Sequence, residues 1–190
     1  MKPWRRIESR RAHDCRVFDL DEVRFDPPDE RPADWFYVLD APSWINVIPL
    51  TDDDQVLFIR QFRFGTEEIT LEIPGGMCDG NEPPVEAALR ELREETGYDA
   101  SDIAELGWVH PNPAIQNNRC YIYLARGLIK AGPPQPDAHE SFELVTIPLA
   151  RIPELIASGE ITHALVITAF HLHGQRTQKE KGDEKGDIPQ

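Results

Sequence analysis

The sequence predicts an α/β fold in which a mixed sheet is covered by helices on two faces. Three observations support this class. Segments prone to form strands lie on both sides of one amphipathic helical segment at residues 84–96, and further helical segments come late in the chain. The length of 190 residues is also enough to bury a core without a disulfide or metal to hold it.

A small N-terminal unit of short strands is predicted for residues 1–42. Residues 17–20, 23–25 and 35–39 are rich in aliphatic and aromatic side chains. A turn, Asp26-Pro27-Pro28-Asp29, separates the second strand from the third. We expect these strands to form an extension that precedes the main domain.

The main domain is predicted to occupy residues 43–174. The tail that follows, residues 175–190, balances four basic against four acidic side chains and is predicted to be disordered. Strands in the main domain are expected at residues 43–50, 55–62, 69–73, 104–110, 119–125 and 142–148, and late helices at 149–157 and 162–173.

Residues 84–96 form the strongest predicted helix of the chain. At about 100° per residue, an apolar stripe follows the spacing of a helix that packs on a sheet. Gly97 comes next, where a left-handed residue ends many helices. The residues predicted to lie on the stripe are Val85, Ala88, Leu89, Leu92 and Thr96.

Three glutamates, Glu91, Glu94 and Glu95, lie beside this stripe. Like charges one turn apart destabilise a helix, and acids near its C-terminus oppose the helix dipole. A divalent cation would compensate for both effects, because Mg²⁺ binds carboxylate oxygens and bridges to substrate phosphates. A solvated acidic face is the alternative, and the neighbouring sequence favours the metal.

That neighbouring sequence begins with Gly75-Gly76, where the backbone can approach a ligand closely and present carbonyls to a metal. Glu82 lies six residues after Gly76, and Arg90 lies eight residues after Glu82. Arginine binds a carboxylate through two parallel hydrogen bonds. Glu82 and Arg90 are therefore a candidate pair for orienting the metal ligands.

This spacing resembles the Nudix box, in which a glycine, five residues, a glutamate and seven residues precede Arg-Glu-aliphatic-x-Glu-Glu-x-Gly-aliphatic. Tyr98 departs from the pattern because it is aromatic, which concerns packing rather than chemistry. Flanking sequence extends the resemblance over about residues 44–172. The residues that carry it are Gly76, Glu82, Arg90, Glu91, Leu92, Glu94, Glu95, Gly97 and Tyr98.

The resemblance implies an α/β/α sandwich of the Nudix type. It also implies a hydrolase that attacks a diphosphate with water and about two to three divalent cations, Mg²⁺ or alternatively Mn²⁺. Arg90 and Glu94 are implied as catalytic residues, with Glu82 supporting Arg90. The implied metal ligands are Glu91 and Glu95, Glu94 as a further ligand or support, and the carbonyl of Gly75.

The segment before the box resembles that of ADP-ribose pyrophosphatases and related nucleoside diphosphate sugar hydrolases, through residues 61–63 and 71–76. The implied substrate contacts are Arg63, Glu72 and Pro113. Arg63 is interpreted equally well as an edge-strand arginine paired with a surface acid. The implied products are a nucleoside monophosphate and a sugar phosphate.

An extension like residues 1–42 commonly builds a homodimer in this subgroup and helps to shape the nucleotide pocket. A late loop before a strand supplies acids there, one of them as the catalytic base. Glu140 matches the acid nearest the strand, and Ala138 stands where another acid is usual. Glu140 is therefore the predicted base and a further metal ligand, with Asp137, His139 or a box glutamate as alternatives.

Two other functions stay open. The first is another Nudix reaction, on a dinucleoside polyphosphate, a coenzyme or a nucleotide cap. The second is a metabolite-binding module without catalysis, although such modules tend to lose box glutamates that this chain retains. The support for another Nudix reaction is a basic N-terminal cluster, although its side chains are better interpreted as the solvated outer face of a strand. The cluster comprises Lys2, Arg5, Arg6, Arg10 and Arg11.

The net charge of the sequence indicates which classes of partner the protein is not expected to bind. The sequence has 20 Lys and Arg against 34 Asp and Glu, a net charge of −14, so it repels polyanions and nonspecific nucleic-acid binding is not expected. Its three cysteines are scattered without metal-site spacing, which favours reduced thiols.

With no secretory signal and no bilayer-length apolar run, the sequence predicts a cytoplasmic protein without a membrane partner.

Overall fold

The computed structural model describes residues 1–135 and 141–186, with side chains through residue 180. Within these ranges lie ten strands and three α-helices. The strands are β1 (Arg5–Asp14), β2 (Asp19–Asp26), β3 (Asp34–Asp40), β4 (Trp44–Pro49), β5 (Gln55–Arg63), β6 (Glu68–Glu72), β7 (Gly75–Met77), β8 (Tyr98–Val109), β9 (Cys120–Lys130) and β10 (Phe142–Pro148). The helices are α1 (Pro84–Thr96), α2 (Ile152–Ser158), which follows a 3₁₀ turn, and α3 (Ala164–Gly186).

The chain divides into two compact units, the first of which comprises residues 1–43 and 109–119. Its strands form an antiparallel sheet in the order β1-β2-β3. The segment 109–119 is attached through main-chain hydrogen bonds, from Leu39 N–H to the Ile115 carbonyl at 2.7 Å and from Asn117 N–H to the Leu39 carbonyl at 3.3 Å. This unit therefore includes a mid-chain segment that the sequence does not predict to join it.

The sequence does not predict the bounds of strand β1, although its arginines are interpreted as the solvated face of a strand. Strand β2 merges the two short strands expected at 17–20 and 23–25. Every residue of β1 is exposed, so it lacks the apolar alternation that identifies a half-buried strand. Cross-strand ion pairs to β2 take the place of an apolar face. They are Arg5–Asp26 at 2.7 Å, Arg11–Asp21 at 2.6 Å and Arg10–Glu22.

The second unit comprises residues 44–108 and 120–190 and carries two sheets within the part that the structure describes. One sheet has the order β7-β4-β9-β8, in which β4 pairs parallel with β9 and antiparallel with β7. The other is antiparallel, with the order β10-β5-β6. The predicted mixed α/β class is therefore confirmed.

The core of the second unit forms where α1 packs against the mixed sheet. Period-two alternation places Ile45 and Val47 on the same face of β4, and both are at most 2% exposed. Ala88 and Leu92 of α1, each 0% exposed, pack against this face. Because the side chains at this contact are small or aliphatic, the helix lies close to the sheet. The acidic side chains on the flank of the helix are therefore held near the sheet as well.

Several boundaries in this unit differ from prediction, among them the end of strand β9 at Lys130, five residues beyond the predicted 125. Residues 75–77 form strand β7 rather than only a turn, because the Gly75-Gly76 backbone pairs with Asn46 and Ile45 of β4. Strand β8 begins at Tyr98, six residues before the predicted start at 104. The helix α1 thus leads into β8 with only Gly97 between them.

Helix α3 corrects the predicted disordered tail for residues 175–186. The sequence predicts a helix end near 173, but α3 continues through Gly186. Arg176 donates to Glu180 one turn later at 2.9 Å, and such pairs on an exposed face stabilise a helix. Residues 187–190, the end of the predicted tail, lie outside the described residues.

The thiols agree with the sequence prediction. Cys15, Cys78 and Cys120 are free, and the latter two are buried. Burial raises the pKa of the Cys120 thiol to about 12. Among the described residues, no helix combines the length and apolar character needed to cross a membrane.

Candidate active site

Helix α1 positions the acidic cluster through well-defined ends. Pro84 is its first residue, and the proline ring fixes φ near the helical value. Proline also lacks the N–H that another residue would leave without a hydrogen-bond partner at this position. At the other end Gly97 adopts φ of 76° and donates its N–H to the Arg93 carbonyl at 2.8 Å. These ends agree with the predicted bounds and fix the last two turns, which carry the acids.

The buried face of α1 is turned relative to the predicted stripe. Val85, predicted to be on the stripe, is 37% exposed, whereas Ala87 is 0% exposed. Glu95 is only 3% exposed, so a carboxylate lies on the face that contacts the sheet. Burial of an ionisable group needs a polar partner, and the double glycine of β7 supplies one.

The Gly75-Gly76 backbone contacts two box glutamates directly. Gly75 N–H donates to Glu95 Oε2 at 2.9 Å. A Cβ placed at Gly76 would overlap the Glu91 carboxylate, so a larger residue here would displace that carboxylate. The structure thus brings Glu91, Glu95 and the double glycine together. The Gly75 group seen in contact is its amide, and the metal role of its carbonyl stays a prediction.

Arg90 holds the remaining acids of the box. Its guanidinium donates from Nε and Nη2 to Glu82 at 3.1 and 3.0 Å, as the orienting pair requires. Its Nη1 donates to Glu91 at 2.7 Å and to Glu94 at 3.1 Å. Nη2 also donates to the Met77 carbonyl at 2.9 Å. Hydrogen bonds from Arg90 lower the pKa of Glu82, so this carboxylate stays ionised as a fixed partner.

The donor set fits a divalent cation of the hard type. Glu91, Glu94 and Glu95 offer only carboxylate oxygens, which Mg²⁺ and Mn²⁺ prefer. The Glu94 side chain is 41% exposed and that of Glu91 is 13% exposed, so the acids are reachable from solvent. Within residues 1–135 and 141–186, no three His, Cys, Asp or Glu side chains converge as a ready metal site. Arg90 instead binds two of the three acids.

Arg63 and Glu72, both predicted as substrate contacts, form a pair across β5 and β6. Glu72 is 1% exposed, and Arg63 donates to it from Nε at 2.7 Å and from Nη2 at 2.6 Å. Burial works against the ionised form of Glu72, but Arg63 and a hydrogen bond from Thr70 outweigh it and lower the pKa of this carboxylate. Glu72 therefore supports Arg63, whose side chain is 43% exposed.

Two residues near this pair escape sequence analysis. Thr70 donates to Glu72 Oε1 at 2.6 Å, and the signal that could identify it is its two-residue spacing from Glu72 on one strand face. His163 Nε2 lies 3.8 Å from Glu72 Oε2. The sequence places it inside the helix predicted at 162–173 and gives no signal of this contact, which joins residues that are 91 positions apart.

Pro113 and Glu140, two further predicted site residues, are not part of the geometry described above. Pro113 is exposed in segment 109–119 of the first unit. Glu140, the predicted base, lies outside the described residues, as do its alternatives Asp137 and His139. Their roles stay predictions.

The chain is similar to one protein family and to known proteins. The NUDIX domain family matches residues 42–170. The chain is 29% identical over 128 residues to an ADP-ribose pyrophosphatase of Bacillus subtilis (strain 168), covering 67% of this chain and 69% of that protein. It is 30% identical over 128 residues to the ADP compounds hydrolase NudE of Escherichia coli (strain K12), covering 67% and 68%.

A solved structure is similar over nearly the whole chain. The crystal structure of an ADP compounds hydrolase superimposes with a TM-score of 0.83, covering 95% of this chain and 97% of that one. Sequence identity between the two is 23%, so the likeness concerns the fold.

Proposed function

This chain belongs to the NUDIX domain family, and we propose on that premise that it hydrolyses the diphosphate linkage of a nucleoside diphosphate sugar such as ADP-ribose. Water adds across the P–O–P bridge, which breaks to give a nucleoside monophosphate and a sugar phosphate. The observation that carries the proposal is the cluster on α1, where Arg90 binds Glu82, Glu91 and Glu94 while Gly75 binds Glu95. The relatives named for ADP-ribose and ADP compounds support this substrate class.

The residues of the cluster divide into ligands and supports. Glu91, Glu94 and Glu95 would hold the divalent cations, and such cations neutralise a diphosphate and lower the pKa of a bound water. Gly75 N–H fixes the Glu95 carboxylate, and the Arg90–Glu82 pair fixes the direction from which Arg90 meets Glu91. The site therefore has its ligands oriented by a second set of hydrogen bonds.

Substrate contacts and the base belong to the proposal as well. Arg63, held in plane by Glu72, would donate to the phosphates or the terminal sugar. Pro113 would border the same substrate, as the resemblance of this chain to its subgroup implies. Glu140 would take a proton from the attacking water and contribute a further metal ligand, since it matches the acid nearest the strand in that subgroup.

The proposal extends to the metal ion, the oligomeric state, the cellular compartment and the class of partner. We propose Mg²⁺ as the working ion, with about two to three ions per site. We propose a homodimer built by the N-terminal strand unit, in which Phe36 and Tyr37 are 42% and 61% exposed. A reducing cytoplasm agrees with the three free thiols. The net charge of −14 argues against a nucleic-acid partner.

The test is a substrate panel with the purified full chain. ADP-ribose, other nucleoside diphosphate sugars, a dinucleoside polyphosphate and nucleoside triphosphates are incubated with Mg²⁺, and the products are separated by chromatography. We expect a nucleoside monophosphate and a sugar phosphate, and no product when EDTA replaces Mg²⁺. Release of monophosphate from none of these substrates would contradict the proposal and favour a binding module.

A further inference from the structure

The carboxylate of Glu72 is buried, and its two oxygens face polar groups of Arg63, Thr70 and His163. Its Oε1 accepts from Arg63 Nε and from Thr70 Oγ1. Its Oε2 accepts from Arg63 Nη2, and the next group facing this oxygen is His163 Nε2 at 3.8 Å. That distance is beyond a hydrogen bond but within the range over which an N–H dipole attracts a carboxylate in a buried site.

His163 also serves the start of α3. It precedes the first residue of the helix, and its Nδ1 accepts from Leu165 N–H at 3.2 Å, as an N-cap side chain does. An accepting Nδ1 has no proton, so in the neutral ring the proton lies on Nε2. The same tautomer that caps α3 therefore directs an N–H toward Glu72 Oε2.

The charge state of the ring agrees with this geometry. Burial lowers the pKa of His163, against the opposing effect of Glu72, so the neutral ring is favoured at neutral pH. Aspartate would cap a helix at least as well as histidine, but it would place a second carboxylate against Glu72. Histidine meets both demands, because it accepts at Nδ1 and donates at Nε2.

We propose that His163 is a positioning residue that caps α3 through Nδ1 and, through Nε2–H, holds Glu72 in the orientation that fixes the Arg63 guanidinium for the substrate diphosphate. The proposal rests on the proposed function, in which Arg63 contacts the substrate. It adds a residue from the start of α3 to a site otherwise built from β5 and β6.

The test compares two nearly isosteric caps. His163→Asn keeps a neutral acceptor for Leu165 N–H but loses the group that reaches Glu72, whereas His163→Asp keeps the acceptor and adds a negative charge. We expect His163→Asn to raise KM about threefold with kcat little changed and Tm preserved, and His163→Asp to raise KM about tenfold or more. Equal KM values for the two variants, or kinetic losses that only follow a loss of Tm, would overturn the proposal.

The matched controls are His171→Asn and His171→Asp. His171 is exposed on the same helix, so its substitution changes charge by the same amount without facing Glu72. We expect KM to stay at the wild-type value in both. A rise in KM for His171→Asp equal to that of His163→Asp would assign the effect to net charge and overturn the proposal.

A spectroscopic test does not depend on activity. In protein with ¹⁵N-labelled histidine, we expect the His163 ring at neutral pH to carry its proton on Nε2, identified by the nitrogen chemical shifts. A proton on Nδ1 would overturn the proposal even if the enzyme is active. If the wild-type chain cleaves none of the substrates while the ring shows Nε2–H, the proposed function fails and the proton position assigned to His163 stands.

Discussion

At the scale of single residues, Glu95 differs from the other acids of α1 in its surroundings. It is 3% exposed and accepts a backbone N–H from Gly75, while the Glu94 side chain is 41% exposed. A buried carboxylate this close to a helix C-terminus is unfavourable for stability by itself, because it loses water and opposes the helix dipole. The cation proposed for this site would offset that cost.

We therefore predict that Glu91→Gln and Glu95→Gln each lower kcat at least about a hundredfold, since an amide is a far poorer ligand for Mg²⁺ than a carboxylate. An amide oxygen can still accept from Gly75 N–H, so the Glu95 variant is expected to fold. Steady-state kinetics with ADP-ribose and a circular dichroism melt measure both quantities. The control is Glu86→Gln, an exposed acid in the first turn of α1. A loss of less than tenfold for Glu95→Gln would contradict the metal assignment.

A second prediction at this scale concerns the stability contributed by Glu72. Its pKa is lowered by Arg63 and Thr70, so the ionised form favours the folded state. That contribution is full above the unfolded pKa, about 4.3, and is lost as pH falls through the lower folded pKa. We expect the gap in unfolding free energy between wild type and Glu72→Gln to shrink as pH falls from about 6 to 3.

Urea denaturation at a series of pH values measures this gap. Glu143→Gln removes an exposed carboxylate from β10 and is the matched control for the loss of one negative charge. A gap that stays constant over the acid range would show that Glu72 contributes through shape rather than through its charge.

At the scale of elements, the sequence predicts those whose stability is local. The bounds of α1 follow from Pro84, the apolar spacing and Gly97, and the structure has the same bounds. The bounds and pairing of strand β1 could not be predicted, because its arginines find their acidic partners only once β2 lies beside it. The same holds for the site: spacing along one helix and loop identifies Glu82 and Arg90, but the contact between Glu72 and His163 depends on tertiary structure.

Gly97 supports an element-scale prediction. Its φ of 76° is unfavourable for other residues, and a Cβ there would overlap the Gly132 carbonyl. Its own carbonyl accepts from Ala131 N–H at 2.8 Å, so the neighbouring backbone is tied in place. We expect Gly97→Ala to lower the unfolding free energy by about 1 kcal/mol from backbone strain and by about 1–3 kcal/mol more from overpacking.

The matched variant is Gly159→Ala at the end of α2. Gly159 has φ of 80° with open space where its Cβ would lie, so only the strain of about 1 kcal/mol is expected. Urea denaturation of both variants separates strain from overlap. Equal losses for the two variants would show that the backbone near Gly132 yields to the added methyl group.

At the scale of the whole molecule, the net charge of −14 and the proposed substrate are both negative. Arg90 is the guanidinium that lies among the box acids, and three carboxylates already bind it. Cations bound by the acids are what would let this surface approach a diphosphate. Three acids lie together near the end of α1, and the whole chain is negative, so affinity for substrate should depend on the metal more than on surface arginines.

Binding of Mg²⁺ should therefore stabilise the folded chain even without substrate. At a concentration about a hundredfold above its Kd, a ligand specific for the folded state adds about 2.7 kcal/mol, which for a chain of this size raises Tm by about 5 to 10 °C. Differential scanning fluorimetry measures the shift, with NaCl at matched ionic strength to subtract general screening of the −14 charge. The double variant Glu91→Gln, Glu95→Gln should lose most of the shift, whereas Glu86→Gln should keep it. If the double variant is stabilised by Mg²⁺ as much as wild type, the cation binds elsewhere on the acidic surface and α1 does not form the metal site.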